Sequence, residues 1–172
     1  KLFNFDKYVS PETILRDCEI LESISEDKEA IEFYIAYKVN LLWKSAFVDE
    51  IKTITEVEKI GKTGNTFKDK VNEIFLKDYY NTKKIKIPKE YSFKHPNTGE
   101  LISPFLMQSY CTYKIKNDFN FGNFSGTGAG KTLSAILASR VINSKLTLIV
   151  CPNDVVEHWT KNILEIFPNS KI

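Results

Sequence analysis

Residues 125–132 read Ser-Gly-Thr-Gly-Ala-Gly-Lys-Thr, and these residue types at this spacing are suited to binding phosphate. Alternating glycines let a loop turn several backbone N–H groups towards one anion and approach it closely. A lysine after the last glycine adds a positive charge, and the threonine hydroxyl beside it can ligate Mg²⁺. The residues expected to contact a nucleotide are Gly126, Thr127, Gly128, Ala129, Gly130, Lys131 and Thr132, with Thr132 also expected to bind Mg²⁺. The alternative interpretation is a flexible glycine turn in front of an ordinary helix.

The segments on either side of the glycine run predict the elements that would position it. A helix is expected over residues 131–143, because apolar residues recur there at helical spacing. A strand is expected over residues 121–125, directly before the loop. The continuous apolar run 146–151 is typical of a strand buried in a parallel sheet. Strand, loop, helix and strand in this order predict an α/β fold for residues 96–172.

The first part of the chain shows helical periodicity instead. Residues 10–12, Ser-Pro-Glu, are a typical helix start, with a hydroxyl cap, a proline in the first turn and an acid. Residues 23–26, Ser-Ile-Ser-Glu, predict a capping box for a second helix, and a third is expected over 66–80. We therefore expect a mostly α-helical accessory region over 1–95, followed by the α/β nucleotide-binding part over 96–172.

Composition limits the classes to which the chain can belong. Its 172 residues are 42% hydrophobic and 27% charged, which is typical of a globular protein. No apolar run approaches the roughly 20 residues that a membrane-spanning helix needs. Cys18, Cys111 and Cys151 are odd in number and widely spaced, which favours a reducing compartment. A cytoplasmic protein is expected, or a nuclear one if the host is eukaryotic.

Charge is distributed unevenly along the chain, although the net charge is only +2. Residues 1–58 hold seven basic and thirteen acidic side chains, whereas residues 59–94 hold ten basic and four acidic ones. A basic segment of this kind can meet an anionic partner such as nucleic acid. The other interpretation is a solvated lysine-rich surface that balances the acidic N-terminal part.

The glycine run resembles motif I of the superfamily 2 helicases and translocases. In that family a small residue often replaces the first glycine, as Ser125 does here. Gln108 lies 17 residues earlier, close to the position of the glutamine in the family's Q motif, where the amide reads the adenine edge. Phe105 is placed where the resemblance implies a contact to the base. The resemblance thus implies ATP as a cofactor, while Gln108 taken alone could equally be a solvated helix residue.

Residues 148–159 resemble motif Ia of the same family, which contacts the nucleic-acid backbone. The resemblance implies that Pro152 and Asn153 lie near a phosphate, which is bound through backbone N–H more than through side-chain charge. The tryptophan at position 159 is more similar to Swi/Snf-type and restriction-enzyme motors than to DEAD-box proteins, which have arginine where this chain has Asp154. Packing within a helix is the alternative role of Trp159.

The resemblance covers roughly residues 101–170 and implies an incomplete RecA-like domain that stops shortly after motif Ia. The implied function is the ATP-binding front portion of an ATP-dependent helicase or translocase acting on nucleic acid, with DNA favoured over RNA. Hydrolysis also needs an acidic residue on a later strand and a second lobe, so no catalytic residue is assigned and negligible ATPase activity is expected. The incomplete sheet should pair with the missing part of the motor or with a second copy. A switch ATPase that does not act on nucleic acid and a nonenzymatic interaction module are the alternatives.

Overall fold

The computed structural model describes residues 7–18, 27–118 and 120–172. Within these ranges the chain forms seven α-helices: α1 (Pro11–Leu15), α2 (Lys28–Val48), α3 (Glu50–Ile60), α4 (Thr66–Lys83), α5 (Leu106–Asp118), α6 (Lys131–Val141) and α7 (Val156–Ile166). A 3₁₀ turn at Asn153–Val155 precedes α7. The chain divides into two compact units, Lys1–Tyr80 and Asn81–Ile172. No helix in the described ranges is both long enough and apolar enough to cross a bilayer.

The predicted α/β fold with a parallel sheet is wrong. The described residues contain no β-strand, and the isolated bridge between Lys94 and Leu101 is antiparallel. The apolar run 146–151 is not buried in a sheet, because Leu146 and Leu148 are 87% and 85% exposed. An apolar run becomes a buried strand only when a neighbouring strand accepts and donates its backbone hydrogen bonds. The RecA-like domain, which requires a parallel sheet, is therefore not observed.

In the segment predicted as the first strand, residues 121–125, the Asn123 side chain bonds a backbone N–H that a strand ladder would use. Asn123 Oδ1 accepts hydrogen bonds from the Ser125 backbone N at 3.1 Å and from Ser125 Oγ at 2.7 Å. Local bonds of this kind offer the backbone an alternative to a strand ladder. Residues 121–125 therefore lead into the glycine loop without forming a strand, and they form no ladder with residues 146–151.

The first unit begins with helices capped by polar side chains. Ser10 Oγ accepts from Thr13 N at the start of α1. Asp27 Oδ1 accepts from the N–H groups of Glu29 and Ala30 at 3.0 and 3.3 Å, and so caps α2. The capping box predicted over residues 23–26 lies outside the described residues.

The core of the first unit is built around an aromatic contact between helices. Trp43 on α2 is 1% exposed, and its ring meets the Phe75 ring of α4 edge-on at a centroid distance of 5.3 Å. Lys38 on α2 is also buried, and its Nζ donates to Ile14 O at 2.7 Å and to Asp17 Oδ2 at 3.1 Å. The aromatic contact and the lysine bonds hold α2 against α4 and α1 respectively.

The core of the second unit holds α6 in place. One cluster of buried apolar residues in this unit consists of Tyr91, Leu133, Ile136, Leu137, Ile166 and Phe167. The segment before α5 closes onto this core, since Tyr91 Oη donates to Ile102 O at 2.8 Å and Ser92 N donates to Ile166 O at 2.8 Å. Burial of the α6 side chains fixes the helix whose first turn follows the glycine loop.

Candidate phosphate-binding site

The glycine run forms a tight loop that ends at the first residue of α6. Gly128 and Gly130 have φ angles of +82° and +78°, in the left-handed region that residues with a side chain rarely adopt. Gly130 is the N-cap of α6, and no side chain caps this helix. The two glycines therefore permit the turn by which the chain enters α6.

The first turn of α6 leaves backbone N–H groups available. The first N–H groups of any α-helix lack a partner within the helix. Here the N–H groups of Gly130, Lys131 and Thr132 donate to no acceptor in the described part of the chain. Free donors at the positive end of the helix dipole favour an anion.

The Lys131 side chain closes the loop. Its Nζ donates to the carbonyl oxygens of Ser125 and Gly126, at 2.8 Å in each case. The side chain is exposed, and an ammonium group carries three N–H donors. Two donors thus fasten the two carbonyls, and the third is left for a ligand.

Asn123 supports the start of the loop, although its sequence context did not identify it as a residue of the site. Its two hydrogen bonds with Ser125 hold the residue whose carbonyl binds Lys131. A short polar side chain two residues before the loop is the signal that could have identified it, because asparagine commonly bonds the backbone two residues on.

Gln108 lies against the last glycine of the loop. It is 3% exposed, and its Oε1 accepts from Phe105 N at 2.8 Å, which is the glutamine half of a capping box at the start of α5. Its Nε2 lies so close to Gly130 that a Cβ there would collide with it. The Phe105 ring is 69% exposed. Contact of either side chain with adenine stays a prediction.

Thr132 is the one expected Mg²⁺ ligand, and it lies half-buried in the first turn of α6. No group of three or more His, Cys, Asp and Glu side chains that could hold a metal occurs among the described residues. A Mg²⁺ ion at Thr132 would therefore take most of its oxygen ligands from phosphate and water, as this ion commonly does.

A thiol also lies near α6. Burial raises the pKa of Cys111 on α5 to about 11, and a hydrogen bond with Ser134 of α6 opposes that shift. The thiol is protonated at neutral pH and is no activated nucleophile. Its role is packing between α5 and α6.

Pro152 and Asn153 are exposed at the 3₁₀ turn before α7. Pro152 O accepts from Val155 N at 3.2 Å, which closes this turn. Trp159 is half-buried and packs against the core of the second unit. Contact of Pro152 and Asn153 with nucleic acid stays a prediction.

Comparisons with protein-family models, curated proteins and solved structures found no match to this chain. They support neither helicase activity nor ATP binding, and the described residues lack the parallel sheet of a RecA-like domain. The identification as a superfamily 2 helicase with a P-loop (Walker A) domain is therefore wrong. The glycine loop, the first turn of α6 and the buried Gln108 are observed in the structure whatever the family of the chain.

Proposed function

We propose that the loop 125–130 and the first turn of α6 bind the phosphate groups of a nucleotide, with ATP and Mg²⁺ as the ligands. The observation that carries the proposal is the position of the Lys131 ammonium. It is bound to the carbonyls of Ser125 and Gly126 at the start of a helix whose first N–H groups have no acceptor among the described residues. Helix N–H groups and an ammonium group together form a binding site for a phosphate anion.

The space around the loop supports this proposal. A Cβ built at Gly126 or at Gly128 would meet no atom within 4 Å, so that side of the loop is open. At Gly130, in contrast, Gln108 fills the adjacent space. A ligand would approach from the open side, while α5 supports the loop from behind.

The expected ligand follows from the number and kind of donors. Several N–H groups and one ammonium exceed what a single carboxylate needs, and they suit the oxygens of a polyphosphate. The Thr132 hydroxyl can add one ligand to a Mg²⁺ ion bridging those oxygens. The proposed function is nucleotide binding rather than hydrolysis.

A thermal-shift experiment on the whole chain tests the proposal. ATP with excess Mg²⁺ at about 100 times its dissociation constant should add about 2.7 kcal/mol to the free energy of unfolding, a rise of roughly 5–10 °C. Lys131→Ala should abolish the rise, because it removes the ammonium and its two bonds to the loop. Lys161→Ala, at an exposed lysine on α7, makes the same change of charge and should keep the rise.

Two outcomes would contradict the proposal, one by excluding nucleotide binding and the other by placing it elsewhere. If ATP with Mg²⁺ leaves the wild-type melting temperature unchanged, the proposal is wrong. If Lys131→Ala responds like the wild type, the nucleotide binds elsewhere. Inorganic tripolyphosphate serves as a second probe. If tripolyphosphate and ATP raise the melting temperature equally, Gln108 and Phe105 do not read the base.

A further inference from the structure

A second surface of the same unit is an open groove of about 620 Å³. One wall is the outer side of α6, another is α7, and the third is the segment 144–151, which forms neither a helix nor a strand. Ile136 of α6 and Trp159 and Ile163 of α7 form an apolar floor. None of these residues belongs to the glycine loop, so the groove is separate from the proposed phosphate site.

The wall formed by residues 144–151 offers backbone groups as well as apolar side chains. No backbone–backbone hydrogen bond engages residues 145–151 within the described part of the chain. One carbonyl, Leu146 O, accepts from the Ser144 hydroxyl at 2.7 Å. Along this wall Leu146 and Leu148 are 87% and 85% exposed. An exposed edge with this alternation is a template for another extended chain.

The charged side chains of the groove are all basic. Arg140, Lys145 and Lys171 line it, and no Asp or Glu side chain does. Arg140 is engaged, because its guanidinium donates to Ser170 Oγ at 2.7 Å and lies over the Phe167 ring. The ammonium groups of Lys145 and Lys171 contact no acidic side chain among the described residues. The groove is therefore apolar in its floor and cationic at its edges.

We propose that this groove binds an extended acidic peptide from a partner protein, which adds as a strand along residues 145–150. Alternate apolar side chains of the peptide lie against Leu146 and Leu148. Its carboxylates lie at Lys145 and Lys171. Main-chain hydrogen bonds supply affinity in such strand addition, and the side-chain positions supply specificity.

Charge also distinguishes this occupant from a second copy of the same segment. Residues 144–151 of a second copy would bring Lys145 and no carboxylate into a groove that already has three cations. Like charges placed together disfavour that pairing. An acidic strand removes the repulsion and gains attraction from the same cations.

Two synthetic peptides test the proposal on the whole chain. Both are about eight residues long with alternating valine and threonine in the middle, enough to follow a segment of about 20 Å. One has glutamates at its ends and the other has lysines. Fluorescence anisotropy should show that the acidic peptide binds and that salt weakens its binding. The affinity for the basic peptide should be lower by roughly tenfold or more. Amide hydrogen exchange at residues 145–150 should slow when the acidic peptide binds.

Variants locate the binding to the groove. Leu148→Asp should reduce affinity for the acidic peptide roughly tenfold or more, and it should fold normally because Leu148 is exposed. Leu101→Asp, at a leucine that is 57% exposed outside the groove, should leave the affinity unchanged. The double variant Lys145→Glu/Lys171→Glu should reverse the preference between the two peptides.

Three results would overturn the proposal. They are failure of the acidic peptide to bind, equal binding of both peptides, and unchanged affinity in Leu148→Asp. Sedimentation supplies a fourth: self-association of the wild type that Leu148→Asp abolishes and the acidic peptide does not displace would assign the groove to a second copy.

Discussion

The side-chain amide of Gln108 occupies the space that a side chain at position 130 would need. Gln108 is on α5 and Gly130 caps α6, so this contact joins two helices at the glycine loop. The glutamine is held from the other side by its bond to Phe105 N at 2.8 Å. Gly130 is therefore constrained twice, by its left-handed backbone and by its neighbour.

Alanine at each loop glycine should separate these two constraints. Gly126→Ala meets open space without a left-handed φ, so its effect should stay within about 0.5 kcal/mol. Gly128→Ala meets open space with φ at +82° and should cost about 1–2 kcal/mol. Gly130→Ala adds the collision with Gln108 and should cost roughly 2–4 kcal/mol. Urea unfolding measures all three, and equal costs at 128 and 130 would contradict the contact.

A double-mutant cycle should measure the coupling between Gln108 and Gly130 directly. Gln108→Ala alone should cost about 1–3 kcal/mol, because it leaves a buried space and removes the acceptor of Phe105 N. In that background Gly130→Ala no longer meets the amide, so its cost should fall by roughly 1 kcal/mol. Free energies of unfolding for the four proteins give the coupling. Additive costs would mean that the two residues do not constrain each other.

The local part of the candidate site could be predicted because its causes are local. A left-handed turn needs glycine, and α6 begins at Lys131, where the apolar spacing predicted a helix start. The assignment of Gln108 to the site rested on resemblance to a family, and no property of residue 108 itself indicates that it lies beside the loop. The supporting bonds of Asn123 depend on a side-chain conformation that residue type alone leaves open.

The fold of the second unit could not be predicted because strands depend on distant partners. The apolar run 146–151 shows only that a buried strand is compatible with its composition. Whether it becomes one depends on a neighbouring strand. Residues 121–125 supply none, and Ser125 N donates to the Asn123 side chain instead. The exposed Leu146 and Leu148 are the physical result.

Lys38 should stabilise the first unit mainly through a carbonyl and not through its ion pair. Its Nζ donates to Ile14 O inside the protein, whereas the Asp17 side chain is 62% exposed. Lys38→Met should cost about 1–3 kcal/mol by leaving that carbonyl without a donor. Asp17→Asn should cost less than about 1 kcal/mol, as expected for an exposed partner. Urea unfolding compares the two, and a larger loss in Asp17→Asn would reverse this assignment.

Tyr91 should make the protein less stable at alkaline pH. Burial raises the pKa of its phenol to about 12, whereas an exposed tyrosine titrates near pH 10. Between these pH values the folded protein keeps a proton that the unfolded chain has lost, so the free energy of unfolding falls as pH rises.

Tyr91→Phe should lose about 1 kcal/mol at neutral pH, because the bond to Ile102 O disappears, and should then show a shallower decline above about pH 10. Tyr8, whose pKa burial also raises to about 12, contributes the same decline to both proteins and cancels in the difference. Urea unfolding from about pH 8 to about pH 11.5 measures both slopes. Parallel slopes would mean that the Tyr91 phenol ionises as readily in the folded protein as in the unfolded chain.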